Sequence, residues 1–135
     1  MKVDGECHCG RIAYEARVEP GRILLCHCDD CQKLTGSAFR ANISAAAETF
    51  RLLRGEPRIY VKTADSGARR AHAFCGDCGA PIYATAAENP ITYSLRIGGL
   101  TQRHELGSPR LQIWTKRALS WSDDLAHIPT VSGQP

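Results

Sequence analysis

Cys75-Gly76-Asp77-Cys78-Gly79, in the middle of the chain, and Cys7-His8-Cys9, near its start, are the stretches that decide the fold. The first is a C-x-x-C pair, and its glycines let the backbone wrap tightly around an ion. The second is a C-x-C pair, and on an extended segment both of its thiols fall on one side. Two pairs make four thiolates, the ligand set of a closed structural zinc site. We therefore read Cys7, Cys9, Cys75 and Cys78 as one Zn²⁺ site that ties the N-terminal strand to the middle of the chain. A clip across so long a loop constrains the unfolded chain strongly. The competing reading, buried free cysteines, does not account for their arrival in spaced pairs. A thioredoxin-type dithiol at Cys75 and Cys78 would open a helix, and Gly76, Gly79 and Pro81 argue against one.

The remaining three cysteines lie in Cys26-His27-Cys28-Asp29-Asp30-Cys31. Cys26, Cys28 and Cys31 can converge on one ion and supply three protein ligands. A catalytic zinc has three protein ligands and keeps a position for water or substrate. The bland alternative is a second structural site completed by His27, Asp29 or Asp30. His27 lies between two cysteines, so an extended backbone turns it the other way. His8 has the same position in its own cluster. Both read as surface or packing residues.

Seven cysteines in 135 residues is an odd number, so disulfides cannot use them all. No apolar run follows Met1-Lys2-Val3-Asp4-Gly5-Glu6, so the reading expects a reducing, cytoplasmic setting, where dense cysteine serves metals or catalysis. Hydrophobic residues are 43% and charged residues 23%, as in an ordinary soluble domain. No stretch is long and apolar enough for a membrane helix. The formal charge is +3. Deprotonating seven thiols on two Zn²⁺ ions brings it to about zero. Arg69-Arg70 and Lys116-Arg117 are isolated basic doublets, which argues against nucleic acid as a partner.

Outside the clusters the pattern is β. Ile12, Tyr14, Ala16 and Val18 alternate with Arg11, Ala13, Glu15 and Arg17; Phe39, Ala41 and Ile43 alternate with Arg40 and Asn42, and Ile91, Tyr93, Leu95 and Ile97 alternate later in the chain. Short strands are expected at Ile23–Leu25, Arg58–Lys62, Ala71–Phe74, Ile82–Ala84 and Leu111–Trp114. Helix is confined to Asp30–Leu34 and to one turn after Ser44, with Ser44 as its N-cap. The reading is a single mainly β domain over residues 1–135, with residues 128–135 as a loosely ordered tail.

The cysteine text resembles a known family on residues beyond the thiols. The matching stretches are Gly5-Glu6-Cys7-His8-Cys9-Gly10, Cys26 through Phe39, and Phe74 through Tyr83. Ile97-Gly98-Gly99-Leu100 and Ile113-Trp114 also fit. This is similar to the glutathione-dependent formaldehyde-activating enzyme and centromere-protein-V-like family, over about residues 5–121. The resemblance implies a β-tent fold, small antiparallel sheets clamped by zinc. It implies a structural zinc on Cys7, Cys9, Cys75 and Cys78, and a catalytic zinc on Cys26, Cys28 and Cys31. It also implies a carbon–sulfur lyase activity that joins glutathione and formaldehyde to S-hydroxymethylglutathione. Members often carry His where this chain has Gln112, and Ser122 to Pro129 keeps only part of the family's closing segment.

Glutathione, the substrate that the resemblance implies, carries two carboxylates, and Lys33 and Arg40, close in sequence to the triplet, are candidates to receive them. The Gly36-Ser37 turn could offer N–H groups to an anion. His27 and Tyr83 are candidate proton donors, with a packed strand residue as the plainer reading of Tyr83. The alternative function is a zinc-stabilised module that binds protein or nucleic acid without catalysis.

Overall fold

The computed structural model describes residues 1–135. Its strands are β1 (Lys2–Glu6), β2 (Ala13–Arg17), β3 (Ile23–Cys26), β4 (Arg40–Ala46), β5 (Arg51–Arg54), β6 (Arg58–Thr63), β7 (Arg69–Phe74), β8 (Pro81–Ala86), β9 (Thr92–Arg96) and β10 (Pro109–Ile113). One α-helix, α1 (Asp29–Thr35), follows β3, and single 3₁₀ turns sit at Ala47–Thr49, Ile97–Gly99, Arg103–Glu105 and Thr115–Arg117. The chain is mainly β, as its alternating stretches require. No helix is long and apolar enough to cross a membrane.

The strands form a three-stranded sheet, β1-β2-β5, and a seven-stranded sheet, β10-β3-β4-β9-β8-β7-β6. In the small sheet Val3 pairs with Ala16 and Gly5 with Tyr14, so these side chains share one face. That face packs on one face of the large sheet, where Ile43 pairs with Leu95 and Leu95 with Tyr83. All of them except Gly5 belong to one buried apolar cluster. Phe50 stacks on Tyr93 at 4.4 Å and meets Tyr83 edge-on at 5.1 Å between ring centres. Gly5 is required by this packing: a Cβ there would lie 2.5 Å from the Tyr14 ring and 2.7 Å from the Gly99 carbonyl oxygen.

The other face of the large sheet positions the site. Cys26 pairs with Arg40, Asn42 with Arg96, and Tyr60 with His72. Side chains alternate along each strand, and paired residues share a face. The register therefore brings Cys26, Arg40, Asn42, Arg96, His72 and Tyr60 to one side of the sheet.

Three expectations need correction. Ser44 caps no turn. It pairs with Ser94 inside β4, and the 3₁₀ turn begins only at Ala47, because a ladder of sheet hydrogen bonds outweighs one local cap. Ile97 leaves its strand for the turn that carries Gly98 and Gly99. Nor is the large sheet wholly antiparallel: β10 runs parallel to β3 at its edge. Strand β5, Arg-Leu-Leu-Arg, shows no alternation, is exposed throughout, and was not expected from the sequence.

Candidate metal centres and an adjoining cavity

Cys7 and Cys9 follow β1, and Cys75 and Cys78 sit in the turn between β7 and β8. Their sulfurs lie within 4.8 Å of one another. Cys7 Sγ is 3.6 Å from Cys9 Sγ, which is 3.7 Å from Cys75 Sγ. A tetrahedron with metal–sulfur bonds of about 2.3 Å has edges of about 3.8 Å, so four thiols at this spacing suit one ion. The turn closes through Gly79 N–H donating to Cys75 O at 2.8 Å, with Gly79 at φ +77°. That conformation is one glycine adopts without strain. Gly76 serves differently: a Cβ there would press on the Arg58 side chain.

The triplet forms where β3 becomes α1. Cys26 ends the strand, Cys28 is the helix N-cap and Cys31 lies in the first helical turn. The Cys31 backbone N–H donates to Cys28 Sγ at 3.3 Å. Gly36, left-handed at φ +63°, ends the helix. The three sulfurs also lie within 4.8 Å of one another and could hold a metal ion. Around them Gln32 Nε2 donates to the His27 and Arg117 carbonyls at 2.8 and 2.9 Å. Arg117 holds Asp29 through two hydrogen bonds of 3.0 and 2.8 Å, and Lys62 pairs with Asp30. That pairing raises the Lys62 pKa and lowers that of Asp30.

Beside the triplet, on the same sheet face, is a cavity of about 370 Å³. Its walls include Leu34 of α1 and, from the sheet, Arg40, Arg96, His72, Tyr60 and Phe74. Arg40 is 4% exposed and Arg96 7%. Burial lowers the Arg96 pKa to about 9, with Arg40 adding to the effect and the Cys31 thiol opposing it. Burial also lowers Arg40, opposed by the Cys31, Cys26 and Cys28 thiols. Both arginines thus lie in the field of the triplet and stay charged at neutral pH. His72 is pushed down to about 4, by burial and then by the charges of Arg96, Arg40, Lys62 and Arg70.

The geometry can be set beside known proteins. The family model described as "Glutathione-dependent formaldehyde-activating enzyme" matches residues 2–117. The chain belongs to this family. No curated protein matches the chain. A crystal structure of a Rhodobacter sphaeroides protein superposes with a TM-score of 0.62 and 22% identity, over 81% of this chain and 98% of that one. At that identity the likeness speaks for the fold alone.

For this formaldehyde-activating family member, the structure separates the residues singled out from the sequence. The seven cysteines assemble into the two expected groups. Arg40 is buried in the cavity wall, whereas Lys33 is exposed and not part of the lining. Tyr83 lies on the opposite sheet face, in the aromatic cluster with Phe50 and Tyr93. His27 is 2% exposed, packs on Phe39, and its Nε2 is 2.8 Å from Gln112 Oε1. Gln112 therefore contributes a structural contact. His8 is exposed, and so is the turn at Gly36-Ser37. Arg96, His72, Tyr60 and Lys62 were missed by sequence reasoning. Arg96 carried no signal of its own, since it continues the polar positions Thr92 and Ser94 of an alternating strand.

Proposed function

We propose that this chain is a zinc-dependent carbon–sulfur lyase that joins, or splits, glutathione and formaldehyde. Cys26, Cys28 and Cys31 would hold the catalytic Zn²⁺, and Cys7, Cys9, Cys75 and Cys78 a structural one. The observation that carries this reading is three convergent thiols at a strand–helix junction, beside a cavity large enough for a small ligand. A Zn²⁺ ion held by these three thiolates would supply Lewis acidity that favours the deprotonated form of a substrate thiol at neutral pH. Family membership supports glutathione and formaldehyde as the reactants.

The chain's own residues then orient and shield. The Cys31 N–H fixes the Cys28 sulfur, and Leu34 and Phe74 keep part of the cavity wall apolar. Holding both reactants together removes much of the entropic cost of their encounter. A sulfur–carbon bond forms, the carbonyl π bond breaks, and the thiol's proton ends on the carbonyl oxygen. The reverse step returns glutathione and formaldehyde. A reducing compartment such as the cytosol suits seven unoxidised thiols.

The test is NMR exchange between glutathione and formaldehyde, with wild type and Cys28→Ser compared and zinc quantified on the same samples. Exchange that scales with wild-type protein and is lost in the variant supports the enzyme. Two zinc ions per wild-type chain without faster exchange would leave a binding module in its place.

A further inference from the structure

The cavity beside the triplet has a wall of hydrogen-bond donors with too few acceptors. Arg96 Nη1 donates to Asn42 Oδ1, and Arg96 Nη2 donates to His72 Nδ1 at 3.3 Å. Nδ1 of His72 is then the acceptor, so the neutral ring carries its proton on Nε2. Three buried groups remain without a partner: Arg40 Nε, Arg96 Nε and His72 Nε2. All three are N–H donors on side chains that line the cavity. No carboxylate forms a salt bridge with Arg40 or Arg96; the acids nearest the triplet, Asp29 and Asp30, are engaged by Arg117 and Lys62.

Buried charge is costly unless it is paired. Three thiolates around one divalent ion sum to a single negative charge. Arg40 and Arg96 bring two positive charges, and Arg70 adds its field to the same side. One positive charge is left over, together with unmet N–H groups. An anion with several acceptor atoms answers the charge deficit, and a guanidinium fork fits a planar carboxylate.

We propose that this cavity is an anion subsite in which Arg40, Arg96 and His72 receive a carboxylate of the substrate. Its link to the thiol chemistry rests on the function proposed above; the subsite itself rests on the cavity wall and on the charge count of a metal-loaded triplet. It selects carboxylate-bearing thiols over neutral ones of similar size, and it places Arg96 and His72 in substrate binding.

The experiment is calorimetric titration of the zinc-loaded protein with S-methylglutathione, which keeps both carboxylates but has no free thiol. Its dimethyl ester is titrated in parallel. Wild type is expected to bind the acid at least roughly 10-fold more tightly than the ester, the scale of one charged hydrogen bond. Arg40→Gln and Arg96→Gln should each weaken the acid by roughly 10- to 100-fold and leave the ester unchanged. The acid–ester comparison needs no variant, so it decides the matter even if Arg96→Gln fails to fold. Equal binding of acid and ester, or no binding of either, overturns the subsite. So would folded variants that bind the acid as wild type does. Tight, arginine-dependent binding without glutathione–formaldehyde exchange would keep the subsite and sink the proposed reaction. Exchange with equal acid and ester binding would do the reverse.

Discussion

Cys28 has two roles. Its sulfur belongs to the triplet, and it accepts the N–H that opens α1. Serine is among the best N-cap residues, so Cys28→Ser should keep the helix while removing a soft ligand. The expected outcome is loss of one zinc equivalent and of exchange activity, with an unchanged far-ultraviolet circular dichroism spectrum. His72 offers a second test. Its folded pKa, about 4, lies below the ordinary value near 6.5, so the unfolded chain binds more protons between those values. The contribution of neutral His72 is therefore complete above about pH 6.5 and is lost as pH falls towards 4. Melting temperatures measured across that window should fall further for wild type than for His72→Gln. Gly5 is a steric case. Gly5→Ala forces a methyl into the Tyr14 ring and the Gly99 carbonyl, and overpacking of this kind costs about 1–3 kcal/mol. Urea denaturation would measure it.

At the scale of elements, α1 is a seven-residue helix with no buried residue, so its end signals matter more than its propensity. Gly36 holds the left-handed C-cap. Gly36→Ala should cost about 1 kcal/mol by denaturation and weaken metal retention at the triplet. The Asp30–Leu34 helix and most of the strands were legible in the sequence, the strands because one wet face makes apolar residues alternate. The cavity wall was not legible, for the same physical reason. A polar residue on the second face of a strand reads as solvent-facing. Here that face is partly covered, so Arg40 and Arg96 are buried and His72 lines a cavity. The parallel β10–β3 pairing joins strands more than eighty residues apart, and no local pattern encodes it. The thiol groups were the most legible part of the site, since spacing alone separates pairs from a triplet.

At the scale of the whole molecule, the four-thiol cluster spans residues 7 to 78. A crosslink closing about 70 residues is worth on the order of 4 kcal/mol in chain entropy. Cys75→Ser should therefore lose the other zinc equivalent and unfold or aggregate, in contrast to Cys28→Ser. Stripping zinc with a strong chelator should lower the melting temperature by about 10 °C or more; a smaller change in calorimetry would argue that the clip carries little stability. The two groups of thiols also differ in when they exist. Cys31 leaves the ribosome 47 residues ahead of Cys78, the difference between positions 31 and 78. At roughly 5–20 residues per second this is a lead of roughly 2–10 s. During synthesis the local triplet can capture a metal on a chain that has not folded, whereas the long-range clip must wait for most of both sheets. The spacing of the cysteines thus sets the order in which the two groups of thiols can form, the local triplet before the long-range clip.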